Sequence, residues 1–205
     1  MDLREQLGDI DIYLLDQLMK GHFRKEMAIL DAGCGHGRNL VYMLRNGFDV
    51  YAIDQSEEAV RSVRSLAAEL APDWPTDRAR VEAVERMSFA DGSFDGVVCN
   101  AVLHFARDHA HMEAMLRELW RVLRPGGKLF ARLASSIGLE SQVKPLGEGR
   151  YKIPDGSTRY LVDEPFLLRT AEELGGQLYE PIKTVLVAGQ RSMTTWCIRK
   201  PEVKP

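Results

Sequence analysis

The segment Leu30–Asn39, LDAGCGHGRN, decides the fold of this chain. Three glycines (Gly33, Gly35 and Gly37) stand at alternate positions after an apolar run that ends in Asp31. Glycine adopts backbone conformations that other residues avoid, and it lets a ligand come close to the main chain. The segment therefore predicts a strand-to-helix loop at the edge of a parallel sheet, where α/β proteins bind nucleotide-like ligands. A tight turn without a ligand is the alternative.

Around this segment, short apolar runs alternate with helical patterns, which is typical of βαβ units. Strands are predicted at Met27–Ala32, Asp49–Ile53, Arg80–Val84, Phe94–Asn100 and Lys128–Leu133. Helices are predicted at Asp9–Lys20, Arg38–Arg45, Ser56–Leu70, Met112–Leu123 and Asp163–Leu174. Two final β runs, Tyr179–Val187 and Ser192–Arg199, are too close for a parallel crossover and must pair antiparallel. We expect an open, mostly parallel sheet of seven strands that ends in an antiparallel hairpin.

The chain has 205 residues, enough for one sizeable domain. A further hairpin signal lies at Arg150–Ile153 and Thr158–Leu161, on either side of Pro154–Ser157. We expect a single domain over residues 1–205. Its parts are an N-terminal helical cap (1–26), a core (27–134), an inserted hairpin (135–162) and a last helix with its β-hairpin (163–205).

Composition excludes several classes of protein. The net charge of −3 argues against nucleic-acid binding through bulk electrostatics. Cys34, Cys99 and Cys197 lie far apart, which suits free thiols in a reducing compartment. The histidines show no metal-ligand spacing, and no signal peptide or apolar run of membrane-spanning length is apparent. We therefore expect a cytoplasmic protein with no metal, no nucleic-acid partner and no membrane contact.

The spacing of the glycines restricts the ligand. A dinucleotide loop reads G-x-G-x-x-G and places a pyrophosphate on a helix N-terminus, whereas this loop reads G-x-G-x-G. The carboxylate of Asp31 would repel a phosphate but would attract an ammonium group. Asp54 ends the second predicted strand, where an acid accepts hydrogen bonds from ribose hydroxyls. The pattern favours a nucleoside with an amino-acid part and disfavours a dehydrogenase.

Four blocks in order carry a family resemblance: DAGCGHGRN, YAIDQS, MSFADGSFDGVVCNAVLHF and LRELWRVLRPGGKL. They resemble the class I S-adenosylmethionine-dependent methyltransferases, in particular the small-molecule, type 11-like branch. The resemblance implies a Rossmann-like, doubly wound α/β fold with helices on both faces. It also implies S-adenosylmethionine as cofactor, S-adenosylhomocysteine as product and in-line methyl transfer to a small-molecule acceptor. A non-catalytic S-adenosylmethionine-binding module and methylation of a protein or nucleic acid remain alternatives, and a homodimer is one option for assembly.

The resemblance also implies a set of cofactor contacts. They are Asp31, Gly33, Cys34, Gly35, Gly37, Arg38 and Asn39 around the methionine part, Asp54 and Gln55 at the ribose, Val84, Glu85, Arg86 and Met87 at adenine, and Asn100 near the methyl-transfer centre. The family commonly has an acidic residue, six positions before the Phe of the third-strand block, that holds the adenine amino group. Counting back from Phe89 gives Ala83, so this acid is missing.

Candidate substrate residues are few. His104 lies just past the fourth strand, where a histidine could act as a general base or contact the substrate. The alternative is a structural histidine that fixes the local backbone. Arg132, near the end of the fifth strand, suits an anionic substrate or is a plain strand-end arginine. The predicted substrate contacts are Tyr13, His104, Arg132, Tyr151, Arg159 and Tyr160, with the inserted hairpin as a lid. His109 and His111 are expected to be solvated.

Overall fold

The computed structural model describes residues 2–202. Its helices are α1 (Leu3–Leu7), α2 (Ile12–Met19), α3 (Val41–Arg45), α4 (Glu57–Leu70), α5 (His109–Val122) and α6 (Glu164–Glu173). Its strands are β1 (Ile29–Ala32), β2 (Val50–Asp54), β3 (Ala79–Val81), β4 (Phe94–Asn100), β5 (Leu123–Ala134), β6 (Lys144–Gly147), β7 (Arg150–Lys152), β8 (Thr158–Tyr160), β9 (Gln177–Leu178), β10 (Lys183–Val187) and β11 (Arg191–Arg199).

The main sheet has the strand order β10-β11-β5-β4-β1-β2-β3. Strands β1 to β5 pair in parallel, and β11 pairs antiparallel with β5, β10 and the two-residue β9. The predicted mostly parallel sheet with a terminal antiparallel hairpin is confirmed, and β9 adds a short eighth strand. The strand order reverses between β1 and β4, and such a point opens a crevice beyond the carboxyl ends of the strands.

Helices cover both faces of the sheet, as a doubly wound fold requires. Leu14 of α2 and Val63 of α4 belong to one hydrophobic core, and Leu119 of α5 belongs to the other. Successive residues of a strand point to opposite faces. In β4, Val97 accordingly joins the core under α5, and Val98 joins the core under α4.

Some element boundaries differ from the prediction. Helix α3 begins at Val41, three residues later than expected, since the backbone from Gly33 to Leu40 forms the glycine loop. Gly37 in this loop has φ of 83°, a conformation that cannot continue a helix. The inserted hairpin is present as β7 and β8, but it gains a third strand, β6, and forms a separate antiparallel sheet.

The inserted sheet packs at the carboxyl edge of the main sheet. Ile153 and Leu161 form a small hydrophobic cluster with Ala134 at the end of β5. Tyr160, the last residue of β8, reaches into the core under α5 and lies within 2.7 Å of the Nδ1 atom of His109. These contacts place the insert beside the crevice. Within residues 2–202, no helix has both the length and the apolar character needed to cross a bilayer.

Candidate active site

A cavity of about 610 Å³ lies at the carboxyl ends of β1, β2 and β4. Its size is in the range of small-molecule and cofactor sites. Its walls are formed by Gly33, Cys34, Gly35, His36, Arg38, Asn39, Asp54, Gln55, Ala83, Val84, Glu85, Asn100, Ala101, Val102, Phe105, Arg107, His111 and Met115. Ten of the fourteen predicted cofactor residues are in this wall; Asp31, Gly37, Arg86 and Met87 are not.

The glycine loop follows β1 and forms one side of the cavity. A Cβ atom on Gly33 would lie 2.4 Å from the Cγ2 atom of Val102, so this position is closed to any side chain. At Gly35, with φ of 52°, a Cβ would meet nothing within 4 Å, because the residue faces open space. Gly37 instead packs against Val63 and Leu66 of α4. The loop therefore uses two glycines at the cavity and a third for packing, and Gly37 has only an indirect part in any ligand contact.

Asp54, at the end of β2, is held in place by two backbone donors. Its Oδ2 atom accepts a hydrogen bond from the Gly35 N–H at 2.9 Å, and its Oδ1 atom accepts one from the Ser56 N–H at 2.9 Å. Each carboxylate oxygen has a second lone-pair direction available. Asp54 thus fixes the glycine loop and has acceptor capacity for two ligand hydroxyls.

Asp31 lies just behind the cavity wall and is almost completely buried, at 1% exposure. Neither of its carboxylate oxygens has a hydrogen-bond partner among the described residues. Burial raises the pKa of Asp31 to about 7; the charge of Arg38 opposes this rise and that of Asp54 adds to it. Burial, with the nearby charge of Asp31, also raises the pKa of the Cys34 and Cys99 thiols, which therefore are not reactive thiolates.

An isolated buried carboxylate is expensive unless a cation pairs with it. A ligand ammonium group at the glycine loop would supply this cation. The donor set of the site therefore fits the amino-acid end of S-adenosylmethionine.

Asn100, at the end of β4, offers a free donor in the same cavity. Its Oδ1 atom accepts a hydrogen bond from Arg38 at 3.2 Å, and its buried Nδ2 group has no partner in the part of the chain that the structure describes. Because the amide carbonyl is taken by Arg38, the amide N–H groups are available to an acceptor atom of a ligand.

The far end of the cavity is built on the turn after β3. The N–H of Arg86 donates to the carbonyl of Ala83 at 3.0 Å, which places Val84 and Glu85 at the tip of the turn and in the cavity wall. Arg86 is exposed, and Met87 is buried with its N–H donating to Glu118 at 2.9 Å. This turn geometry explains why the last two of the four predicted adenine contacts leave the cavity.

His111 lines the same end of the cavity, and the prediction that it is solvated was wrong: its side chain is 11% exposed. Its Nδ1 atom accepts a hydrogen bond from the Arg107 N–H at 3.1 Å, so the Nε2 atom carries the proton. That Nε2 atom lies 3.1 Å from Glu85 Oε1. Sequence reasoning missed this pair because the two residues come from separate elements.

A second cavity, of about 290 Å³, adjoins the first at Ala101. It is lined by Ala101, His104, Arg132, Ala134, Ile153, Arg159, Val187, Arg191 and Met193. Three of the six predicted substrate residues, His104, Arg132 and Arg159, therefore come together here.

The three predicted tyrosines lie outside the walls of both cavities. Tyr13 packs behind the second cavity, with the guanidinium of Arg132 4.9 Å from its ring centre. Tyr151 packs against the small cluster of the inserted sheet. Tyr160 is 2% exposed and bonded to His109, and burial raises its pKa to about 12. Tyr160 is therefore a packing residue, and its assignment as a substrate contact is not supported by this position.

His104 is buried and neutral. Burial, together with the charges of Arg159 and Arg132, lowers its pKa to about 4. Its Nδ1 atom accepts a hydrogen bond from the Ala134 N–H at 3.2 Å, so the proton is on Nε2. A general base needs a free lone pair, and this ring offers a donor to the second cavity instead. The geometry favours the substrate-contact assignment of His104 over the base.

Asp11, which sequence reasoning did not select, connects the N-terminal segment to both cavities. Its Oδ2 atom lies 2.9 Å from the Nη1 of Arg132 and 3.6 Å from a guanidinium nitrogen of Arg38. Its backbone N–H donates to Asn39 Oδ1 at 3.0 Å, and its Oδ1 caps α2 through the Tyr13 N–H. The ion pair spans 121 residues, so no local pattern in the sequence indicates it.

Across residues 2–202, no three His, Cys, Asp or Glu side chains are grouped in a way that would hold a metal ion.

Residues 30–131 match the family model described as "Methyltransferase domain". The ubiquinone biosynthesis O-methyltransferase of Xanthomonas oryzae pv. oryzae is 33% identical over 170 residues, which cover 75% of this chain and 66% of that protein. The chain thus spans just under two thirds of the length of this curated relative.

Solved structures share the fold. The 1,6-didemethyltoxoflavin-N1-methyltransferase of Burkholderia thailandensis, crystallised with 1,6-didemethyltoxoflavin and S-adenosylhomocysteine, aligns with a TM-score of 0.71 at 20% identity, covering 98% of this chain and 82% of that one. An S-adenosylmethionine-dependent methyltransferase from Methanosarcina mazei aligns with a TM-score of 0.70 at 21% identity, covering 91% and 98%. The matching domain and the curated relative place the chain in the methyltransferase family, and the solved structures share its fold.

Proposed function

We propose that this chain transfers a methyl group from S-adenosylmethionine to a small-molecule acceptor. The observation that carries the proposal is the buried carboxylate of Asp31, which lacks a protein partner within residues 2–202 and lies behind the glycine loop. Such a group calls for a positively charged partner, and the ammonium group of this methyl donor is one. The names of the similar proteins, an O-methyltransferase and an N-methyltransferase of small molecules, support the same reaction class.

Each end of the donor has residues suited to it. The ammonium group would pair with Asp31, and the ribose hydroxyls would donate to Asp54. Adenine would lie against Val84 and Glu85, where the acid that the family commonly places at Ala83 is missing. Asn100 would donate its free N–H groups near the methyl-transfer centre.

The bound donor supplies a methyl group on a positively charged sulfur, which is reactive without further activation. The protein therefore has to align an acceptor atom with that methyl and exclude water, and such alignment is worth about 7–11 kcal/mol. Ala101, which belongs to both cavities, marks the place where the two reactants would meet. His104 does not take the acceptor's proton in this arrangement, because its free ring nitrogen is already protonated.

The cysteines and the net charge support the proposed location and the type of acceptor. The three cysteines are buried and free, which supports a cytoplasmic location. The negative net charge supports a small-molecule acceptor over a nucleic acid. The division into cap, core, inserted lid and C-terminal part stays a prediction, as does a homodimer. A module that binds the donor without turnover is the second candidate, and formation of S-adenosylhomocysteine in the presence of an acceptor would eliminate it.

Calorimetric titration with S-adenosylhomocysteine tests the proposal. We expect one binding site per chain, and we expect Asp54→Ala to weaken binding about 30-fold or more, since a charged hydrogen-bonding partner is lost. Asp73→Ala, which removes an exposed carboxylate after α4, is the matched control and should bind like the natural chain. Absence of binding to the natural chain, or equal binding by Asp54→Ala, would contradict the proposal.

A further inference from the structure

The second cavity contains more positive charge than its protein partners neutralise. Arg132 is paired with Asp11 at 2.9 Å, and Arg191 lies 3.6 Å from Asp155. Arg159 makes no ion pair with a carboxylate of residues 2–202, and it donates only to the carbonyl of Thr158 at 2.8 Å. The cavity therefore presents one uncompensated guanidinium group.

Other groups in the cavity suit an anion with an apolar body. The ring of His104 is in the cavity wall, and because its Nδ1 atom accepts from the Ala134 N–H, the ring carries its proton on Nε2. The remaining walls include the apolar side chains of Ile153, Val187 and Met193. The volume of about 290 Å³ corresponds to about ten water molecules, so the group it would hold is small.

The two cavities share one wall residue, Ala101. Its N–H donates to the carbonyl of Arg132 at 2.7 Å. Its φ of 62° is rare for a residue with a side chain, and such strain persists only where the surrounding structure enforces it. Phe105 lines the first cavity, while the guanidinium of Arg159 lies 4.9 Å from its ring centre.

We propose that the methyl acceptor carries a carboxylate-type anionic group, which Arg159 binds in the second cavity with help from Arg191 and the Nε2–H of His104. This inference rests on the proposed function, because it assigns the acceptor side of the same site. The anion lies against Arg159, and the acceptor atom lies toward Ala101 and the methyl donor. A neutral acceptor would leave the guanidinium of Arg159 without an ion-pair partner within residues 2–202, with the Thr158 carbonyl and the Phe105 ring as neighbours.

The test uses benzoate and benzamide, which have nearly the same shape and differ in charge. Each is titrated by calorimetry into the chain saturated with S-adenosylhomocysteine, and again without it. We expect benzoate to bind at least about tenfold tighter than benzamide, as a charge-assisted hydrogen bond implies. Arg159→Gln should weaken benzoate binding about tenfold or more and leave S-adenosylhomocysteine binding unchanged, whereas Arg159→Lys should retain most of the benzoate affinity.

Lys152→Gln is the matched control, because it removes one positive charge from an exposed position on the same small sheet. It should bind both ligands like the natural chain. If Arg159→Gln does not fold, Arg191→Gln replaces it, and benzoate binding should fall several-fold. The proposal would be overturned if benzoate and benzamide bound equally well or if benzoate showed no saturable binding. It would also be overturned if the folded arginine variant bound benzoate with unchanged affinity. If the natural chain bound benzoate but not S-adenosylhomocysteine, the proposed function would be contradicted instead. The benzoate titration without S-adenosylhomocysteine makes this distinction, because it reports on the second cavity alone.

Discussion

The buried carboxylate of Asp31 links the stability of the ligand-free protein to pH. Its pKa in the folded chain is about 7, against an ordinary value of 3.8. Between these two pH values the folded chain holds a proton that the unfolded chain has lost, so stability falls as pH rises. The decline should reach about 1.4 kcal/mol per pH unit within this window and level off above pH 7.

Asp31→Asn removes the titrating group and keeps its shape. Relative to this variant, the natural chain should lose about 2–3 kcal/mol of unfolding free energy between pH 5 and pH 8. Urea unfolding at pH 5, 6, 7 and 8 measures this difference. Asp73→Asn, on the exposed loop after α4, is the control: it keeps Asp31 and should lose stability with pH as the natural chain does. If the unfolding free energies of the natural chain and of Asp31→Asn differed by the same amount at every pH, the reasoning would be refuted.

The same variant tests the pairing of Asp31 with an ammonium group. S-adenosylhomocysteine at 100 times its dissociation constant should add about 2.7 kcal/mol to the stability of the natural chain at pH 8. Asp31→Asn should bind it about 30-fold or more weakly, because the charge that meets the ammonium group is gone. Equal stabilisation of both proteins would show that the ligand does not pair with Asp31.

Two further substitutions test the architecture around the cavities. Asp11→Asn should lower the unfolding free energy by about 3 kcal/mol in urea, because Arg132 keeps a partly buried charge without its partner. A loss below about 1 kcal/mol would contradict the burial of this ion pair. Gly33→Ala should cost at least about 2 kcal/mol in the same assay, since its Cβ would meet Val102. Gly156 has a similar φ of 84°, but a Cβ atom there would meet nothing within 4 Å, so Gly156→Ala measures the backbone cost alone. Equal losses of unfolding free energy in the two variants would show that the contact with Val102 adds no cost.

Sequence patterns predicted the parts of the fold that depend on neighbouring residues. Strand β4 was predicted with the observed limits, because its buried residues Phe94 and Val97 to Cys99 follow the turn-forming residues Asp91, Gly92 and Ser93. The glycine loop and Asp54 were also located by local spacing, and both line the cavity. Strand β6 escaped prediction since its four residues are all exposed and show no alternation.

The parts of the site that the sequence did not reveal depend on contacts between distant segments. Asp11 reaches Arg132 only after the N-terminal segment folds over the sheet edge. His111 enters the cavity because α5 packs beside the turn that bears Glu85. Neither juxtaposition leaves a periodic or spaced signal in the chain, so only the three-dimensional arrangement identifies these residues.

A crystal structure of the chain with S-adenosylhomocysteine tests the central claim most directly. We predict the ammonium group at the glycine loop beside Asp31, the ribose hydroxyls on Asp54, and the sulfur directed toward Ala101 and the second cavity. A ligand bound elsewhere, or one whose sulfur faces away from Ala101, would contradict the assignment of the two cavities to donor and acceptor.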